Sequence, residues 1–112
     1  MRIVIFGLTI TSSWGNGHGT TYRSLVKALA QLGHHIQFIE KDVEWYRSNR
    51  DMPQPPFCTV HLYETWAASR TSLVELCRDA DAVVIGSYFP DAIAAADTLL
   101  NAGFAPLLFY DI

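Results

Sequence analysis

Hydrophobic and polar positions along this chain alternate between two rhythms. Ile3-Val4-Ile5-Phe6 is a wholly apolar run, and a run of that length bounded by turn residues reads as a buried strand, here spanning Arg2 to about Leu8. From Tyr22 onward the apolar residues recur at helical spacing, with Tyr22, Leu25, Val26, Leu29 and Leu32 on one face. Thr20 or Thr21 is the expected cap of this helix and Gly33 its left-handed stop. His35 to Glu40 reads as a second strand. Lys41 to Phe57 is the least regular stretch; Val43 to Asn49 suits a short helix, which Pro53 to Pro56 cannot form. Cys58 to Tyr63 alternates like a strand, and the helix after it buries Leu73, Val74, Leu76 and Cys77. Ala82 to Gly86 is again wholly apolar and ends at Ser87-Tyr88-Phe89-Pro90. Asp91 caps an alanine-rich helix running to about Asn101-Ala102, which Gly103 stops, and Ala105 to Tyr110 is a fifth strand.

Strands alternating with helices at this pitch predict β-α-β units and a parallel sheet. The expected fold class is α/β: a Rossmann-like, three-layer α/β/α arrangement with a parallel five-stranded sheet in the order 3-2-1-4-5. Ligands of such sheets bind at the carboxyl ends of the strands where the chain reverses direction, here between strands one and four. That switch point should gather the loop after strand one, the Ser87 to Pro90 loop and Asp111 on one rim. The sequence ends at Asp111-Ile112 with no helix to cover the fifth strand, so residues 1–112 are expected to be the front part of a longer protein.

Composition narrows the classes. The 112 residues carry a net charge of −3, and their eight Lys and Arg are scattered rather than striped, which gives no electrostatic reason to expect nucleic acid. No apolar stretch approaches the roughly 20 residues of a membrane span, and the apolar run after Arg2 breaks at Gly7, too early for a signal peptide. Cys58 and Cys77 read as reduced core residues, and the expected location is cytoplasmic.

The loop after strand one concentrates the chemistry. Ser12-Ser13-Trp14-Gly15-Asn16-Gly17-His18-Gly19-Thr20-Thr21 joins a strand to a helix, and its three alternate glycines remove side chains that would hold a ligand off the backbone. The helix behind them directs unpaired N–H groups and the positive end of its dipole at the same place, which favours phosphate. His18 adds a group of the kind that exchanges protons near neutral pH. A dinucleotide site needs G-x-G-x-x-G directly after the strand and an acid further on. Glu40 stands where such an acid would be, but the glycine spacing differs and the loop is too long. The P-loop signature, a serine-nucleophile elbow and metal-ligand spacing are all absent from the sequence. Against a ligand-free loop stands Trp14, a large aromatic beside the glycines. Asp42, Trp45 and Tyr46 read either as a platform for a sugar face or as a loop anchor. Phe89 reads as packing, His34 and His35 as solvated turn residues, and His61 has no visible partner.

These residues carry a resemblance. Arg2 to Gly7 followed by Ser13-Trp14-Gly15-Asn16-Gly17-His18-Gly19-Thr20-Thr21-Tyr22-Arg23 resembles the opening of the CgeB-like (spore-maturation-protein-like) glycosyltransferases. Gly33-His34, Glu40 to Tyr46, Gly86 to Asp91 and Phe109-Tyr110-Asp111-Ile112 are further points of similarity. The resemblance spans nearly the whole chain but only about the first half of the family's amino-terminal domain. It implies a GT-B architecture of two Rossmann-like domains facing across a cleft, the first acceptor-side and the second binding a nucleotide-sugar. Such enzymes transfer the sugar without a metal and need no cofactor besides the donor. The resemblance makes His18 the catalytic base or the donor to the leaving phosphate, and Asp111 a second catalytic group. It makes Trp14, Gly15, Asn16, Gly17, Gly19, Thr20 and Tyr88 the substrate-binding set. On that reading the acceptor is unknown, the 112 residues alone do not turn over, and their partner is the missing carboxy-terminal domain or a second copy. The competing expectation is a stand-alone Rossmann-like module binding a phosphate-bearing ligand or a partner protein, with a nicotinamide-dependent oxidoreductase domain behind it.

Overall fold

The computed structural model describes residues 1–104 and 106–112. Its elements are β1 (Arg2–Phe6), α1 (His18–Gln31), β2 (His35–Lys41), α2 (Glu44–Arg47), β3 (Thr59–Tyr63), α3 (Trp66–Leu76), β4 (Ala82–Gly86), α4 (Ala92–Asn101) and β5 (Leu107–Tyr110). All neighbouring strands pair in parallel, in the order β3-β2-β1-β4-β5. The fold is the expected Rossmann-like α/β sheet with helices on both faces.

Side chains of a strand alternate between faces, and β1 divides accordingly into two cores. Ile3 and Ile5 join Ile36, Phe38 and the α1 residues Tyr22 and Val26. Val4 and Phe6 join Ile39, Tyr63, Val83 and Ile85 beneath Leu73 of α3, Cys77 just after it, and Ala95 and Leu99 of α4. Tyr22 fits because Gly7 and Gly86 lack side chains: a Cβ on Gly86 would lie 1.7 Å from the Tyr22 hydroxyl oxygen. Gly33 and Gly103 hold the left-handed φ values of +91° and +76° expected after α1 and α4.

Several local expectations are corrected. β1 ends at Phe6 because the chain turns away after Gly7, whose N–H still donates to the Ile39 carbonyl. α1 opens at His18, ahead of Thr20 and Thr21, and neither caps it; Thr21 donates its hydroxyl to the Gly17 carbonyl instead. Leu32 is exposed, and only Gly19, Tyr22 and Val26 of α1 are fully buried. Asp91 stands at the start of α4 without a capping bond, because its carboxylate accepts from Tyr63 and pairs with Lys41. His61 does have a partner, the Gln37 side chain. β3 starts at Thr59, just after Cys58, and β5 is described from Leu107. The expected start of that strand at Ala105 lies outside the described residues.

Candidate functional site

The chain between β1 and α1 is a folded layer rather than a slack loop. Thr9, Ile10, Thr11 and Ser12 are all wholly buried. Backbone groups taken out of water need partners, and Glu40 supplies them. Its carboxylate is wholly buried and accepts from Ile10 N–H at 2.8 Å, Thr11 N–H at 3.1 Å and the Thr11 hydroxyl at 2.7 Å. Arg50 closes the arrangement, donating to Thr11 Oγ1 at 2.8 Å and pairing with Glu40 and Asp42. Glu40 is therefore engaged within the fold, where a ribose-binding acid would need free oxygens.

A second clamp lies further along. Arg23 donates two bonds to the Asp51 carboxylate, the shorter 2.7 Å, and one to the Ile10 carbonyl. Ser13 donates to Asp51 through both its N–H and its hydroxyl. These bonds, Arg23 first, hold the Asp51 carboxyl far below the usual carboxylate range. Burial pushes Asp42 upward, but hydrogen bonds and charge from Arg50 and Arg47 outweigh it and the net shift is down. Asp51 and Arg50 were not among the site residues expected from the sequence, and no spacing signal marks them: each lies far along the chain from the loop it holds.

Each predicted site residue can now be placed. Gly15 has a φ of +65°, and a Cβ on Gly15 or Gly17 would meet nothing within 4 Å, so both leave open space in front of the loop. Gly19 differs, because a Cβ there would lie 2.3 Å from the Ser12 carbonyl. Its missing side chain makes room for the chain itself, a correction to a purely ligand-facing role. Asn16 accepts from Gly19 N–H at 2.9 Å, which leaves the N–H groups of His18 and Thr20 without a partner inside the helix. Thr20 is exposed.

His18, the first residue of α1, lies with its ring 5.6 Å from that of Tyr88 and nearly perpendicular to it. Its Nδ1 is buried without a hydrogen-bond partner, as is the Tyr22 hydroxyl. Tyr88 is 75% exposed and holds a φ of +65°, the sole non-glycine positive φ among the described residues; bulky residues seldom adopt it without a local reason. Burial, and then Tyr110, raises the Tyr22 phenol far above its ordinary range. Asp111 is exposed beside the same rim, where Ile112 N–H donates to Ser87 Oγ and Ser87 N–H to the Tyr110 carbonyl. Its carboxylate bonds neither His18 nor any other described residue.

Trp14 does have a neighbour. Its ring packs edge to face against Trp45 of α2, centroids 4.5 Å apart. The switch point thus assembles the helix start, His18, Tyr88 and Asp111, while Trp14 and Trp45 form a separate feature on the β2 side of the loop. Among the described residues no three His, Cys, Asp or Glu side chains stand close enough to hold a metal ion, and no helix is long and apolar enough to cross a membrane. Comparison of the chain with known protein families, curated proteins and solved structures finds no match.

Proposed function

We propose that this chain is the acceptor-side, Rossmann-like part of a metal-independent GT-B glycosyltransferase. The observation that carries the reading is His18: the first residue of a 14-residue helix at the sheet's switch point, with an unpartnered Nδ1. A helix start offers N–H groups and a positive dipole end to a leaving diphosphate, and an imidazole there can accept the acceptor's proton or donate to that phosphate. Lys41, Arg23, Arg47 and Arg50 are all paired with carboxylates. Further positive charge for the diphosphate would therefore come from the nucleotide-sugar domain of the whole enzyme. The test is release of nucleoside diphosphate from a panel of nucleotide-sugars by the full-length gene product. Turnover that falls by about 100-fold or more in His18→Ala supports the role. Turnover unchanged by that substitution, or absent with every donor and acceptor tried, contradicts it.

One observation favours the second reading, a binding module that associates with another protein surface. Leu108 and Phe109 of the edge strand β5 are 51% and 67% exposed, and an apolar edge strand invites pairing. Sedimentation of the 112-residue chain separates the two: a stable dimer lost in Phe109→Lys favours the module.

A further inference from the structure

Trp14 and Trp45 are held in place by bonds that do not bury them. Trp14 N–H donates to Ser12 Oγ, Ser12 Oγ donates to the Asn49 carbonyl, and the Asn49 amide donates to the Trp45 carbonyl at 2.9 Å. Beneath this chain of bonds lie the Glu40 and Arg50 cluster and the Arg23 to Asp51 clamp. The backbones of both tryptophans are thus fixed to buried structure, yet Trp14 stays 44% exposed and Trp45 59% exposed. A pair that served only to anchor the loop would gain by turning inward, since burial of an aromatic ring is what stabilises. Beside Trp14 a cleft of about 360 Å³ is lined by Ser13, Trp14, Ser48, Asn49, Arg50 and Asp51.

We propose that Trp14 and Trp45, whose rings meet edge to face, offer an exposed ring face on which a neutral pyranose stacks, with polar groups of the cleft beside Trp14 taking its hydroxyls. Charge decides among occupants with a flat apolar face. The arginines at this rim are engaged, Arg23 by Asp51, Arg47 by Asp42 and Glu44, and Arg50 by Glu40 and Asp42. A nucleic acid stacking its bases here would find no free cation for its phosphates, and a phosphorylated sugar would meet a surplus of carboxylate. A pyranose presents C–H groups of slightly positive character to the electron-rich ring face and hydroxyls around its edge. It matches an aromatic pair beside which the Asn49 side-chain oxygen makes no hydrogen bond to any described residue and the half-exposed Asp51 carboxylate, though held by Arg23 and Ser13, has a side open to solvent. The inference deepens the transferase reading by naming the acceptor class as carbohydrate, and rests on it for that purpose only.

The chain holds three tryptophans, and Trp66, packed against the core, is an internal reference. The experiment follows the three indole N–H resonances of the 112-residue chain during titration with neutral gluco-, galacto-, manno- and N-acetylglucosamine oligosaccharides, and separately with tetramethylammonium. The expected result is saturable movement of the Trp14 and Trp45 signals with at least one oligosaccharide while Trp66 stays still. Trp45→Ala then weakens binding by about 10-fold or more, and Trp45→Phe retains most of it. An unmoved Trp66 signal certifies that each variant is folded. Movement with tetramethylammonium alone would assign the ring face to a cation and overturn the proposal, as would silence with every oligosaccharide or binding unchanged in Trp45→Ala. No nucleotide is present, so failure here leaves the role of His18 standing. Sugar binding without donor turnover would instead leave a carbohydrate-binding module.

Discussion

The Glu40 carboxylate and the Thr11 hydroxyl meet at 2.7 Å inside the protein, one near the end of β2 and the other in the middle of the β1–α1 connection. Around that contact the carboxylate also receives two backbone N–H groups and faces Arg50, so a wholly buried charge is satisfied from several sides. Removing one partner of such a cluster leaves the others buried and unpaired, which costs more than the net worth of the contact. Glu40→Ala is expected to lower stability by about 3–5 kcal/mol. The check is urea unfolding, with a lower midpoint at unchanged slope, together with faster amide exchange at Ile10 and Thr11.

The glycines of the loop divide into two kinds. Gly19→Ala forces a Cβ against the Ser12 carbonyl and should destabilise by about 1–3 kcal/mol, as overpacking does. Gly17→Ala meets open space at a φ of −92° that any residue adopts, so by restricting the unfolded chain it should stabilise by about 0.4–1 kcal/mol. Thermal unfolding of the two variants should move in opposite directions; a similar loss in both would mean that the loop does not pack on Ser12 as described.

How much of this was readable from the sequence follows from what each residue answers to. The apolar runs of β1 and β4 and the stops at Gly33 and Gly103 obey local rules, and with them the strand order and the switch-point rim were legible. The buried layer was not. Thr9, Thr11 and Ser12 are polar residues in a stretch without periodicity, and their burial depends on Glu40, Asn49 and Arg50, distant in sequence. The opening of α1 is hidden for a related reason: Asn16, ahead of the helix, takes the capping bond, and so the threonines that look like caps lie inside it. The pairing of Trp14 with Trp45 needed the third dimension, although the exposed aromatic was itself visible.

Acid should act through Asp51 and Asp42. Their folded pKa values are depressed below the ordinary aspartate value of 3.8, so the stabilisation they give is present above that value and lost as pH falls through the lower, folded values. Unfolding midpoints should decline as the solution is acidified below about pH 4. In Asp51→Asn that decline should be shallower, although solvent around the exposed carboxylate screens part of the effect. A profile of Asp51→Asn parallel to that of the parent would remove Asp51 as a source of acid sensitivity.

The two thiols should be inert at neutral pH. Burial pushes Cys58 up to about 11 and Cys77 up to about 12, and the thiolate is the reactive form. Alkylation at pH 7 should be slow for both and slower for Cys77, which is fully buried, with rates in urea restored to those of free cysteine.

Tyr88 should reveal whether the rim is adapted to a ligand. Its left-handed backbone disfavours a bulky residue by about 1–2 kcal/mol, so Tyr88→Gly should raise the unfolding midpoint. If the ring that faces His18 belongs to the site, the same variant should bind nucleoside diphosphate more weakly. Gain in stability with loss of binding is the signature of a residue retained for function.

The most direct test of the central claim is titration of the 112-residue chain with uridine, guanosine and adenosine diphosphates, followed through the His18 ring and the amides of Gly17, His18 and Thr20. If the start of α1 receives a diphosphate, these groups shift saturably with at least one nucleotide, at an affinity near the millimolar level that about 4 kcal/mol of binding gives, and the shifts are lost in His18→Ala. Silence of those resonances with all three nucleotides while the chain remains folded would contradict that claim.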